Sequence, residues 1–137
     1  MRALFDTGPA ADQDAIAAAT PTVINNVSLT ATERIGPILL VANIGFIDRD
    51  VLGVVTTLDI LQEGVVIAAQ FVETPAVDNL QCSATLFAVV ENVAVGDTFQ
   101  LRITPAGTSV DVKANNCTLM AIGLGQLGAE TANITSP

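Results

Sequence analysis

The sequence predicts an all-β fold, an antiparallel sandwich or barrel of about eight strands. Three observations lead there. From Thr22 onward apolar and polar residues alternate with a period of two, the spacing of a strand whose side chains point to opposite faces. Turn-forming residues interrupt these runs at short intervals. No stretch between them carries the 3.6-residue period of an amphipathic helix.

The first 20 residues stand apart, being rich in Ala and Asp, with Pro9 and Pro21 flanking the middle of the segment. Residues 12–19 could form about two turns of helix, a length marginal in water on its own. Residues 1–21 are therefore expected to be either an arm that orders against something else or a disordered terminus. Strands are expected at 22–31, 37–47, 51–61, 65–72, 80–90, 98–104, 108–113 and 117–124. The plainest is 98–104, where Phe99, Leu101 and Ile103 share one face and Thr98, Gln100, Arg102 and Thr104 the other. Leu80 to Leu86 repeats the pattern with even positions inward, and Val110 and Val112 alternate with Ser109, Asp111 and Lys113. Gly36-Pro37, Asp48-Arg49-Asp50, Gln62-Glu63-Gly64, Thr74-Pro75, Gly96-Asp97, Pro105-Ala106-Gly107 and Asn115-Asn116 supply the turns. Gln62-Glu63-Gly64 separates two strands as a hairpin would. The sandwich is thus assigned to 22–125, and 126–137 to a polar tail that ends at the surface.

Composition narrows the function classes. The 137 residues are 50% hydrophobic and 14% charged, with 14 acidic against 5 basic side chains and a net charge of −9. So apolar a chain is not disordered, and its length suits one domain. The acidic excess disfavours nucleic acid, whose phosphates need Lys and Arg, and anionic membrane surfaces. There is no His, the commonest general base and transition-metal ligand, so a Ser-His-Asp arrangement is impossible and an enzyme is not expected. Gly123-Leu124-Gly125-Gln126-Leu127-Gly128 mimics G-x-G-x-x-G but ends a strand with no helix of sufficient length to follow, so no phosphate loop or cofactor is expected. The longest apolar run, Ile38 to Ala42, is far short of the roughly 20 residues of a membrane helix. Asp6, Gly8, Asp12 and Asp14 interrupt the run a secretory signal requires, so export by the usual route is not expected.

Three strands are more apolar than one core can use. Residues 38–47 are nearly continuous, Leu119-Met120-Ala121-Ile122 has no polar face, and Phe87 and Val89 lie opposite the inward Cys82, Ala84, Leu86 and Ala88. A few exposed apolar residues are ordinary, but recurrence in three strands points to cover by another copy of the chain or by a partner, with subunit contact favoured. The residues expected at a subunit interface are Ile38, Leu40, Phe46, Phe87, Val89, Met120 and Ile122.

Several single features carry weaker readings. Cys82 and Cys117 are either two small apolar side chains or a disulfide, within or between chains. Asp48 and Asp50 put two carboxylates on one loop, as calcium prefers, although calcium needs six or more oxygens; the alternative is a solvated turn in which Arg49 neutralises one Asp. Asp59 interrupts an apolar strand and is expected to pair with Arg34, Arg49 or Arg102. No carboxylate pair is marked as a glycosidase couple.

Val93-Ala94-Val95-Gly96-Asp97-Thr98-Phe99-Gln100-Leu101-Arg102 resembles the late strands of the complement-head and tumour-necrosis-factor superfamily, whose members are trimeric jelly rolls. Ala114 to Gly125 is similar to the last central strand of the same heads, in particular to bacterial versions on exosporium collagen-like proteins and spore appendages. The resemblance spans roughly residues 22–125, with recognisable motif in the last third. The Gly-Tyr-Tyr-like segment of such heads reads Ile44-Gly45-Phe46-Ile47 here, and residues 1–20 stand where a collagen-like stalk would be. The resemblance implies a jelly-roll sandwich, a homotrimer, and a structural subunit of an extracellular or spore-surface fibre or coat. Some bacterial appendages join jelly-roll subunits through an N-terminal connector, which gives Leu4, Phe5 and Ile16 the expected role of connecting one subunit to the next. A phage decoration or fibre-head protein in a virion is the second reading. A glycan- or receptor-binding head is the third, weakened by the absence of Trp and Tyr on which sugars stack.

Overall fold

The computed structural model describes residues 3–32, 37–49, 55–73, 79–107 and 109–124. Among the described residues ten strands follow one another: β1 (Ala3–Gly8), β2 (Gln13–Ile16), β3 (Thr22–Thr30), β4 (Ile38–Asp48), β5 (Val55–Gln62), β6 (Val65–Glu73), β7 (Leu80–Val90), β8 (Thr98–Thr104), β9 (Val110–Val112) and β10 (Cys117–Gly123). Every pairing is antiparallel. One sheet runs β1-β10-β4-β9-β2, with β7 on the other side of β4, and the second runs β3-β8-β5-β6.

The period-two pattern becomes the core. Phe99, Leu101 and Ile103 point in from β8, Leu58 and Ile60 from β5, and Ile24 and Val27 from β3. Against them stand the even positions of β4, Ile38, Leu40, Ala42, Ile44 and Phe46, with Cys117 and Leu119 from β10. These β4 residues are 0–3% exposed. Burying one such side chain contributes about 1.5–3 kcal/mol.

Residues 3–20, expected to be an arm that orders against something else or a disordered terminus, order against this chain's own sheet, and residues 13–16 are strand where two turns of helix could have formed. Residues 3–8 pair with β10 along their whole length, and Gln13 and Ile16 pair with β9. Aspartates hold the segment in place. Asp12 accepts from the Ala114 N–H at 2.8 Å, and Lys113 reaches both Asp12 (3.4 Å) and Asp14 (2.9 Å). Asp111 on β9 accepts from the Ala15 N–H at 2.8 Å and from Arg49 at 2.7 Å. Burial works to raise the Asp111 carboxyl, but the Ala15 N–H and the Arg49 guanidinium outweigh it and leave it below its ordinary value. The backbone bond from Ala114, aided by Lys113, lowers Asp12 likewise. The Asp-rich composition that suggested an unattached terminus is the set of acceptors that attaches it. Ile16, expected to reach another subunit, is 5% exposed within this chain's own core and cannot do so.

The expected strands fall close to the observed ones from β3 to β10. Residues 33–36, 50–54, 74–78, 108 and 125–137 lie outside the described residues, and with them Arg34, Gly36, Asp50, Thr74-Pro75, the starts of the strands expected at 51–61 and 108–113, and the expected polar tail. Asp59 pairs with Arg102, directly opposite on β8, at 2.9 Å.

Candidate subunit interface

The registers across β1, β10, β4 and β7 set the side chains of the six-stranded sheet's outer face in rows. Phe5, Met120, Val41 and Phe87 form one row. Ile122, Leu39 and Val89 form the next. Directly opposite residues in an antiparallel pair share a face, so these seven make one continuous apolar area. Phe5 is 73% exposed, Phe87 64% and Val89 62%. The row beyond is Thr7, Thr118, Asn43 and Thr85, and Ser83 follows opposite Gly45. The face is apolar at one end and hydroxyl- and amide-lined at the other, and none of these side chains carries charge.

Gly45 marks the polar end. A Cβ there would collide with the Asn116 side chain and lie 3.0 Å from the Asn116 carbonyl oxygen. The Gly45 N–H donates to that carbonyl at 3.2 Å. Asn115, at φ 60, makes the left-handed turn that returns the chain into β10.

The expected interface residues separate by strand parity. Phe87, Val89, Met120 and Ile122 lie on the outer face. Ile38, Leu40 and Phe46 do not: even positions of β4 face the core, and at 3%, 0% and 0% exposure they leave no surface for a second subunit. The outward residues of β4 are instead Leu39 and Val41, which were not among the expected ones. Their signal lies in the sequence all the same, since β4 is apolar on both faces and only one parity can face the core. Of the residues expected in a connector, Phe5 lies on this face at 73% exposure, and Leu4, one position along, is 44% exposed.

Both cysteines face inward on either side of β4, Cys117 opposite Ile44 and Cys82 opposite Phe46. Two strand spacings, roughly 10 Å, separate them, beyond the ~7 Å that a disulfide spans. Both are free thiols, which corrects the intrachain bridge. Burial pushes the Cys117 thiol up to about 11, and burial together with the nearby Asp48 raises Cys82, so both stay protonated at neutral pH. Asp48 is buried at the end of β4, pointing to the core side, and Asp50 lies outside the described residues. Among the described residues no group of three or more His, Cys, Asp or Glu could hold a metal ion.

Two antiparallel sheets with β10 and β4 adjacent in one and β8 and β5 in the other make this chain a two-sheet sandwich of the jelly-roll class. The same architecture is found in a solved structure described as Eiger TNF from S. frugiperda, which overlays with a TM-score of 0.55 at 13% identity, over 90% of this chain and 92% of that one. The fold is that of a tumour-necrosis-factor-like jelly roll. No family model matches the sequence. No curated protein matches it either.

Proposed function

We propose that this chain is a non-enzymatic structural subunit that associates as a homotrimer through the apolar half of its six-stranded sheet, within an extracellular or spore-surface fibre or coat. The observation that carries the reading is the pair of apolar rows, Phe5-Met120-Val41-Phe87 and Ile122-Leu39-Val89. Exposed side chains of this size in one patch mark a contact surface. With a net charge of −9, copies repel one another over most of their surface, and an uncharged face is where they meet at least electrostatic cost. The jelly-roll fold supports a trimeric head by analogy of architecture. The likeness of residues 93–102 and 114–125 to exosporium and appendage heads supports the surface setting.

The test is the mass of the purified protein by sedimentation, before and after Phe87→Asp with Val89→Asp. Both sites are exposed, so the fold is retained. The wild type is expected to sediment as a trimer and the double variant as a monomer, each with the far-ultraviolet signature of β structure. A wild type that stays monomeric at high concentration, or a variant that stays trimeric, overturns the reading.

A further inference from the structure

Residues 9–20 join β1 to β3 as a strap, with β2 in its middle. Of the described residues before β3, only Ile16 belongs to the buried hydrophobic cluster, and no side chain of β1 does. Two alanines oppose that one anchor. Ala15 and Ala19 both sit at φ 55, a left-handed conformation that a Cβ disfavours. Strain of this kind persists only where surrounding bonds impose it. Here the Ala15 N–H donates to the Asp111 carboxylate at 2.8 Å, and the Ala19 N–H to the Pro105 carbonyl at 2.6 Å. Further along the strap the hold is again polar. The Asn115 N–H donates to the Pro9 carbonyl at 2.8 Å, and Asp12 takes the Ala114 N–H.

We infer that this strap is a latch with Asp111 as its catch: protonation of that carboxyl frees residues 3–20 from the sandwich while the sheets behind them stay folded. One carboxylate serves two elements. Its Oδ1 takes the Ala15 N–H, and its Oδ2 takes the Arg49 guanidinium at 2.7 Å. Among the described residues the charged groups about it are Arg49 beside the end of β4, Lys113 on its own chain and Asp12 on the strap, and Asp14 pairs with Lys113. Arg49 and Lys113 favour the ionised form, whereas burial and Asp12 oppose it. A proton on Asp111 removes the charge from the bond to Ala15 and unpairs Arg49, so the strain at Ala15 loses its counterweight. Charge-assisted bonds are about twice as strong as neutral ones. β4, β5 and β8 pack through Leu40, Ile44, Leu58 and Leu101, which do not titrate, so the opening is local rather than global.

The latch also carries β1. With the strap free, β1 keeps its backbone bonds to β10 and the Asp6–Ser28 contact, with no core side chain to hold it, and Phe5 leaves with it. Where the reading of the apolar rows as a contact between copies holds, acid withdraws Phe5 from its row and weakens that contact before the fold is lost. The latch itself does not depend on association.

The test is amide exchange read by mass spectrometry, in steps from about pH 6 to about pH 2.5, corrected for the intrinsic rate at each step. In the wild type, residues 3–20 are expected to lose protection about tenfold or more while residues 38–48 and 98–104 keep theirs. The loss should begin below the ordinary aspartate value of 3.8. Asp111→Asn mimics the protonated carboxyl and is expected to show the same loss already near neutral pH. Ala15→Gly relieves the left-handed backbone and should raise strap protection severalfold. Should Asp111→Asn fail to fold, Arg49→Gln is expected to move the opening to higher pH, because the carboxyl loses its charged partner. Four results each overturn the inference: residues 3–20 and 38–48 losing protection together, Asp111→Asn exchanging as the wild type does, strap protection falling in Ala15→Gly, or an unmoved midpoint in Arg49→Gln. Sedimentation at the same pH steps reads the trimer separately, so a wild type that is monomeric throughout counts against association and not against the latch.

Discussion

At one end of the four-stranded sheet, the free side of β3 is occupied by polar groups from the N-terminal segment. The Asp6 carboxylate takes the Ser28 N–H at 3.1 Å. The Gln13 side chain accepts from the Asn25 N–H at 2.9 Å and donates to the Val23 carbonyl at 3.1 Å. The Asn26 amide oxygen accepts from the Ala10 N–H at 3.4 Å, and a register shift between Val23 and Ser28, with Asn26 at φ 61, bends the strand. At the other end β6 lies beside β7, and its exposed residues include Val65, Val66 and Phe71 as well as Gln70 and Glu73. Both edge strands carry a register shift, but only β3 is capped by side chains of the N-terminal segment. Edge protection is a property of what packs beside a strand as much as of the strand itself.

The largest expected effect on this contrast comes from Ile16→Ala. It loosens the segment that covers β3 by removing a side chain buried against the core. A loss of about 2–5 kcal/mol is expected, read as a lower midpoint in urea unfolding. Aggregation should rise with it as the β3 edge opens.

Asp111→Ala comes next. It leaves the Ala15 N–H and the Arg49 guanidinium without their shared acceptor. Because Arg49 is more than a third exposed, solvent compensates part of the loss. We expect about 1–2 kcal/mol, with faster amide exchange in β2 than in β4.

Acidification tests the same clamp without mutation. The Asp111 and Asp12 carboxyls are held below the ordinary aspartate value of 3.8, so their contribution is present above that pH. It is lost as pH falls from about 4 through the lower folded values, because the unfolded chain binds protons first. Melting temperature followed downward from pH 5 should drop, and the drop should be shallower in Asp111→Asn. An equal slope in both would remove Asp111 from the account.

The smallest effect is expected from Gln13→Ala. It deletes two exposed capping bonds on β3, at about 0.5–1 kcal/mol in all. Exchange of the Asn25 amide should quicken while amides of β6 remain unchanged.

Much of this architecture is legible in the sequence. Phe99, Leu101 and Ile103 announce β8 because a half-buried strand must alternate, and burial of all three follows from the same rule. The turn at Gln62-Glu63-Gly64 is legible because Gly64 readily takes the positive φ that a tight hairpin turn needs, while the positive φ of Glu63 carries no such signal. Residues 3–20 are not legible. Asp6, Asp12 and Gln13 carry no periodic signal, and their partners, Ser28, Ala114 and Asn25, include one about a hundred residues away. The apolar outer face is half legible. An excess of apolar residues in β4, β7 and β10 can be counted, but which parity faces outward depends on the opposing sheet. Ile38, Leu40 and Phe46 fall on the core side, against expectation, for that reason.

The sequence by itself determined the class of structure, since local alternation and turn chemistry act over a few residues and leave little choice. It also determined that β4, β7 and β10 carry more apolar residues than one core can use. The tertiary structure alone decided where those apolar residues lie, how the N-terminal segment is held and which strands end each sheet. Those depend on register and on polar groups far apart in the chain, and register is set only when both sheets have closed over a common core.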